Sequence, residues 1–330
     1  MDPLAILYDG LRAAFVPATA AYALAAIGLN VHFGYTGLLN FGQAGFMLVG
    51  AYGMAFTVAT FGGPLWLGVI VSLVGSVILA LILGLPTLRL RADYLAIVTI
   101  AAAEILRITF RSGWASDVTG GVFGLQQFAN SFYALNPLPP GTYGFGSVQF
   151  SERRLWTILV AWGLVALAAL LVWALMRSPW GRVVRSIRED EDAARSLGKN
   201  VYGYKMQALV LGGVIGSMGG LILAVDQQSV SPDYYLTVVT FYAYTVLILG
   251  GAARVLSPIF GALAFWGIVA ALESFLRQAI ATGLIPEGML ATNEIGIVRF
   301  VLVGLALMLL MIFRPQGFFG NREEMLLDAR

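Results

Sequence analysis

Few side chains in this sequence can do chemistry, and their types narrow what that chemistry is. There is one histidine, His32, and no cysteine, so no thiolate metal site, disulfide framework or histidine cluster can form within the chain. Glu104, Arg107 and Arg111 recur at spacings of three and four inside an apolar stretch, which places them on one helical face. Glu104 with Arg107 reads either as a local pair that stabilises packing or as a pair bordering a route. Arg111 is expected to extend outward. Glu273 with Arg277, and Arg299 with nearby Glu294, read as interfacial pairs, and Asp226 is expected at an external mouth. The histidine has no adjacent nucleophile motif and no carboxylates pair at membrane depth, so an enzyme is not expected. No G-x-x-x-x-G-K-S/T run is present, so nothing in the sequence cradles nucleotide phosphates.

The elements that must position these residues are apolar. Hydrophobic residues make up 59% of the chain and charged residues 12%, and the mean hydropathy is +0.82, far outside the range of a globular domain. Stretches of about twenty apolar residues recur, each long enough to cross a hydrocarbon core of roughly 30 Å as a helix. About nine spans are expected, near 13–33, 36–61, 64–85, 93–110, 155–176, 206–226, 237–253, 256–276 and 295–313. The fold class is therefore an all-α polytopic transmembrane bundle of about eight to ten spans, a single transmembrane domain over 1–330 with membrane lipid around it. The formal charge of +2 gives no reason to expect nucleic acid. Loops near 86–92, 177–205 and 254 fall on one side with the tail 314–330, and that side carries most of the lysines and arginines. The excess marks it as cytoplasmic, which puts the C-terminus inside and the N-terminus outside. The opening MDPLAILYDGLR lacks a basic segment, so no cleavable signal is expected.

The stretch SIREDEDAARSLGKN interrupts this apolar pattern within the cytoplasmic loop. Ser186 followed by Glu189 fits a capping box, and the acids up to Asp192 suit the positive end of a helix dipole. Arg195 and Lys199 suit the negative end, and Gly198 suits the left-handed residue that closes a helix. A short helix over about 186–198 follows, with Ile187, Ala194 and Leu197 along one stripe. Ala193 and Ala194 have almost no side chain, which lets another protein approach closely. The alternative is a solvated loop whose charges only set topology.

Glycine marks two breaks. The segment Gly34 to Gly53 is glycine-punctuated and carries Asn40 and Gln43, which allows a broken second span whose backbone groups line a cavity. Alternatively, the glycines let helices approach and the two amides bond to neighbouring helices. A second break lies at Leu249 to Ala262, and the Gly-Ala step after each suggests an internal repeat. The external segment of about 112–154 is rich in glycine and proline and reads as a lid, a docking surface or a linker.

The spacing Asp192-Ala193-Ala194, three residues, then Gly198 resembles the EAA-type loop of ABC importer permeases. GYTGLLNFGQAGFMLVGAYG, LRADYLAIVTIAAAEILRITF, TGG at Thr119 to Gly121, LILGGAARVLSPIFGALAFWGIV and RPQGFFG together resemble LivM-type permeases for branched-chain amino acids. The resemblance covers nearly the whole chain in consistent order. It implies a permease subunit of an importer in the bacterial inner membrane, paired with a second homologous permease, two ATPase subunits and an extracytoplasmic solute-binding protein. It further implies that ATP and magnesium are bound by the ATPases, with no cofactor in this chain. The implied coupling residues are Glu191, Asp192, Ala193, Ala194, Leu197 and Gly198, with Glu191 and Asp192 both open as the contacting carboxylate. The implied pathway residues are Tyr35, Gly37, Asn40, Gln43, Glu104, Thr119, Gly120 and Gly121, and the external segment would receive the binding protein. A urea or short-chain amide importer is the alternative within the superfamily, and an ion-gradient-driven secondary transporter is the alternative outside it.

Overall fold

The computed structural model describes residues 2–89, 92–145, 148–284, 294–313 and 317–318. Each predicted apolar stretch contains a helix, and the departures lie at the joints. Helix α1 (Pro3–Phe15) precedes the expected first span; Asp2 caps it by accepting from the Leu4 N–H, and Pro3 sits where no N–H is needed. Pro17 then opens α2 (Pro17–Leu29), and α1 and α2 meet at a bend of 53° because proline cannot continue the preceding helix. α1 lies along a later helix, α13, where Ser274 Oγ donates to the Asp9 carboxylate at 2.6 Å.

α2 runs into a π-helical turn, Asn30–Tyr35, and residues 37–42 are not helical before α3 (Gln43–Ala59). The expected second span is thus broken at its start. Next come α4 (Leu65–Thr87) and α5 (Ala92–Arg111). The segment expected as an open loop over 112–154 is built of small elements: α6 (Ser116–Thr119), β1 (Leu125–Gln126), α7 (Asn130–Ala134) and the hairpin β2 (Thr142–Phe145) with β3 (Val148–Ser151). Ser151 caps α8 (Glu152–Arg177), which is followed by α9 (Pro179–Glu189), α10 (Glu191–Ser196) and α11 (Val201–Gln227). β4 (Ser229–Val230) pairs antiparallel with β1 and leads through a 3-10 turn at Pro232–Tyr235 into α12 (Thr237–Gly250), α13 (Ser257–Ala281) and α14 (Ile295–Phe313).

Among the described residues, α4, α8, α11 and α13 are each long and apolar enough to cross a membrane. The bent pair from Pro3 to Tyr35 reaches that length together, and Gln43–Ala59, Thr237–Gly250 and Ile295–Leu305 are shorter apolar helices. The protein is an all-α polytopic membrane protein.

α11 is the central post, packed against α2, α3 and α4. Its sequence GGVIGSMGG puts Gly212, Gly216 and Gly220 one turn apart on one face. A Cβ at Gly212 would overlap the Gly28 carbonyl and the His32 ring, and one at Gly220 would overlap the Met47 carbonyl. Small residues here let three backbones approach, the arrangement that drives helix association in lipid.

The loops assigned by charge to one side fall together at one end of the bundle. Tyr202 donates to the Leu85 carbonyl at 3.3 Å, and Arg89 stands over the Tyr202 ring. The tail expected over 314–330 lies outside the described residues apart from Gly317 and Phe318, whose N–H donates to the Leu249 carbonyl at 2.9 Å at this same end. The opposite end carries β1, β4, the hairpin and the 3-10 turn.

Candidate functional site

The acidic stretch does not form the single rod expected over 186–198. The chain enters a helix at Pro179, so Ser186 is an interior residue whose Oγ donates to the Val183 carbonyl at 2.8 Å, and the expected capping box does not form. The helix stops at Asp190, whose backbone is extended (φ −153°) and whose Oδ1 accepts from the N–H groups of Asp192 and Ala193 at 2.9 Å. One acid is therefore the cap of a new helix, and α9 and α10 form a corner. Gly198 closes α10 with φ +77°, in the left-handed region that an L side chain avoids.

The corner separates the predicted coupling residues into two sets. Ala194 is buried against Ile187 and Val201, so it fastens α10 to α9 and α11 and is not part of a free face. Glu191 is partly exposed and engaged on both sides: it pairs with Lys205 and bonds to Arg195 at 2.9 Å. Asp192 has a side chain 90% exposed, and Ala193 and Leu197 beside it are also exposed. Asp192, Ala193 and Leu197 thus present the outward face, where Asp192 also bonds to Arg195 at 2.9 Å.

α9 also holds the first break. Arg188 donates through Nη1 to the Gly34 carbonyl at 2.6 Å, and its stem lies against Gly37, whose φ of +73° leaves the backbone free to turn under it. Asn30, one turn before Gly34, accepts from the Ala253 N–H at 2.9 Å and donates to the Arg254 carbonyl at 2.8 Å. Ala253 is held there at φ +62°. The two glycine-rich breaks of the sequence therefore meet: the α9 corner holds the first at Gly34, and Asn30, one turn before it, clamps the second.

Of the two roles open to Asn40 and Gln43, lining a cavity or bonding within the packed helices, their contacts match the second. Both are fully buried with His32. Asn40 Nδ2 lies 3.1 Å from His32 Nδ1 and 3.3 Å from Gln43 Oε1, and the His32 Nε2 lies 3.1 Å from the Leu209 carbonyl. Gln43 Nε2 donates to the Ala25 carbonyl at 3.2 Å. The backbone of the break is satisfied in the same way, by Asn40 Oδ1 for Gly42, by Thr99 for Phe41 and by Thr240 for Ala44. Tyr244 donates to the Asn40 carbonyl at 2.9 Å. Non-helical backbone at this depth must find partners within the protein, and here it does, so the two amides are internal fasteners. Phe41 is a partly exposed aromatic residue of the break, stacked on Tyr244 with ring centres 4.5 Å apart and 5.8 Å from Phe241, which is half exposed. Tyr35 is buried at the wall of a cavity near the corner.

At the opposite end Glu104 and Arg107 form the expected pair, at 2.5 Å, but the pair is part of a larger network. Arg107 Nη1 also bonds to Asp233 at 2.9 Å, and Arg111, rather than only reaching outward, lies 3.1 Å from the same carboxylate. Asp233 is the member that sequence reasoning missed, because nothing local marks a partner more than a hundred residues away. Thr119 Oγ1 donates to the Phe110 carbonyl at 2.7 Å and accepts from the Gly121 N–H at 3.2 Å, so Thr119, Gly120 and Gly121 form a turn against the end of α5. Arg299 pairs with Glu273, which also holds Arg277 at 2.8 Å, so this carboxylate ties α14 to α13.

Comparison with known proteins follows the same outline. The family model described as "Branched-chain amino acid transport system / permease component" matches residues 12–290. A high-affinity branched-chain amino acid permease protein LivM of Salmonella typhimurium is 30% identical over 91% of this chain and 68% of its own length. A LivH permease protein of the same organism is 25% identical over 92% of both chains. A nucleoside ABC transporter permease protein, NupC of Lactococcus lactis, is 26% identical over 76% of this chain and 74% of its own. The corner, the paired breaks and the glycine-packed post thus sit in a chain that belongs to the branched-chain amino acid transport permease family, as a LivM-type ABC permease.

Proposed function

We propose that this chain is one of two permease subunits of an ATP-driven importer of branched-chain and other hydrophobic amino acids. A second homologous permease completes the route, two ATPase subunits bind ATP and magnesium, one of them docked on the α9–α10 corner, and an extracytoplasmic binding protein delivers substrate to the opposite end. The observation that carries this reading is the grip of the corner on the break: Arg188 reaches the Gly34 carbonyl from the helix whose neighbour presents Asp192, Ala193 and Leu197. A displacement of the corner is passed to the turn at Asn30–Tyr35 and, through Asn30, to the loop before α13. The positive residues near the corner support a place for it on the cytoplasmic side of a bacterial inner membrane. The partly exposed aromatic surface of Phe41 and Phe241 beside the break suits weak passage of an apolar side chain rather than tight holding.

A nucleoside cargo is the second reading, supported by the nucleoside permease among the relatives. Proteoliposomes holding the complete assembly, with ATP on the corner side and the binding protein on the other, separate these readings. The expected result is leucine uptake that requires ATP and survives an uncoupler, with uridine and urea ineffective as competitors. Competition by uridine or urea would change the cargo. Uptake that persists without ATP and collapses with the uncoupler would replace the mechanism with ion coupling.

A further inference from the structure

A cavity of about 500 Å³ opens between the end of α8, the start of α9 and the loop before α13. Arg177, Arg185 and Arg254 line it, with Tyr35, Trp173 and Ser257, and no Asp or Glu is among its walls. Arg185 is held in place by carbonyls, donating to Met176 at 2.6 Å and Gly181 at 3.2 Å, so its charge is positioned but not neutralised. Arg177 lies over the Trp173 ring at 4.1 Å. Among the described residues none of these guanidinium groups pairs with a carboxylate.

Two further features point to a ligand. Ser257 is 2% exposed, yet its Oγ has no hydrogen-bond partner among the described residues, and it forms part of the cavity wall. It is also the first residue of α13, a helix of 25 residues whose N-terminus has no side-chain cap. The dipole at such an end favours an anion, and the Ser257 hydroxyl is the donor it offers, since Pro258 has no N–H and the Ile259 and Phe260 N–H groups donate to the Leu256 carbonyl. The rim is apolar: Trp173, Leu256 and Phe260 are each substantially exposed. Three positive groups, an unused hydroxyl and a helix start surrounded by an apolar rim match a phosphate joined to acyl chains better than a free anion.

We propose that this cavity binds the phosphodiester headgroup of an acidic phospholipid. The phosphate lies among Arg177, Arg185, Arg254 and the Ser257 hydroxyl, and the acyl chains lie along Leu256 and Phe260. The bound lipid then contacts both the α8–α9 junction and the loop that Asn30 clamps, so it braces the corner against the second break. That this level is the inner-leaflet surface rests on the orientation proposed above. Lipid binding in detergent depends on neither orientation nor transport, so either reading can fail alone.

The test is native mass spectrometry of the purified complex titrated with phosphatidylglycerol, phosphatidylcholine and inorganic phosphate. Phosphatidylglycerol should be retained about tenfold better than phosphatidylcholine. Arg254→Gln should lower that retention about fivefold, and Arg177→Gln similarly; both side chains are exposed, so the fold is not at stake. Ser257→Ala should lower it by about threefold. Equal retention of the two lipids, or retention indifferent to these substitutions, would overturn the proposal. Displacement of phosphatidylglycerol by millimolar inorganic phosphate would show a free-anion site and overturn the lipid assignment.

Discussion

Replacing Arg188 by alanine is expected to uncouple the transporter: ATP hydrolysis and complex assembly persist, while substrate moved per ATP falls by about tenfold or more. The Gly34 carbonyl is buried, and Arg188 donates to it at 2.6 Å. A hydrogen bond to a charged group contributes about 1.5–3 kcal/mol, which corresponds to a factor of about ten to a hundred. The loss falls on transmission because α9 keeps its other anchors, the buried Val184 and Ile187 and the Arg185 bond to the Met176 carbonyl of α8. Arg188→Lys keeps a charged donor and should recover part of the coupling. Simultaneous measurement of hydrolysis and uptake in proteoliposomes checks this, and an unchanged ratio for Arg188→Ala would remove the residue from the transmission path.

The second large effect is on folding. Gly212→Leu should abolish accumulation of folded protein in the membrane, whereas Gly304→Leu on α14 should leave it unchanged. A side chain at Gly212 overlaps the Gly28 backbone carbonyl and the His32 ring, and neither can move without opening α2 from α11. Overpacking costs about 1–3 kcal/mol, and displacing buried polar groups from their partners adds about 1–3 kcal/mol. The sum is a large part of a typical total stability of about 5–15 kcal/mol. At Gly304 nothing lies within 4 Å of an added Cβ. Fluorescence-detected size exclusion of tagged variants is the measurement.

Much of the architecture was legible because lipid imposes it. Apolar stretches of spanning length, the break after Tyr35 and the meeting of basic loops at one end all follow from composition and charge position. The α9–α10 corner was misread because Ser186 and Glu189 have capping-box spacing, while the stronger start signal lies earlier, at Ser178-Pro179. Asp190 then serves as cap, a role that the neighbouring acids concealed. Asn40 and Gln43 were ambiguous for a different reason. An amide suits a lined cavity and a packed interior equally, and only the surrounding helices decide between them. The glycines at 212, 216 and 220 had the small-residue period that marks a helix contact, a signal present in the sequence but not used. The network around Asp233 had no such signal, since its partners Arg107 and Arg111 come from a distant helix.

The central claim is that the outward face of the α9–α10 corner docks the ATPase. The chain contains no cysteine, so a single Leu197→Cys variant can be labelled at one site with a photoactivated crosslinker. Leu197 is 79% exposed, so the label leaves the packing of Ala194 undisturbed. Gly113→Cys at the opposite end serves as the reference, since nothing lies within 4 Å of an added Cβ there. In the assembled complex the account predicts that the Leu197 label crosslinks to the ATPase subunit and the Gly113 label does not. Crosslinking of the ATPase from Gly113, or its absence from Leu197 in an intact complex, would contradict it.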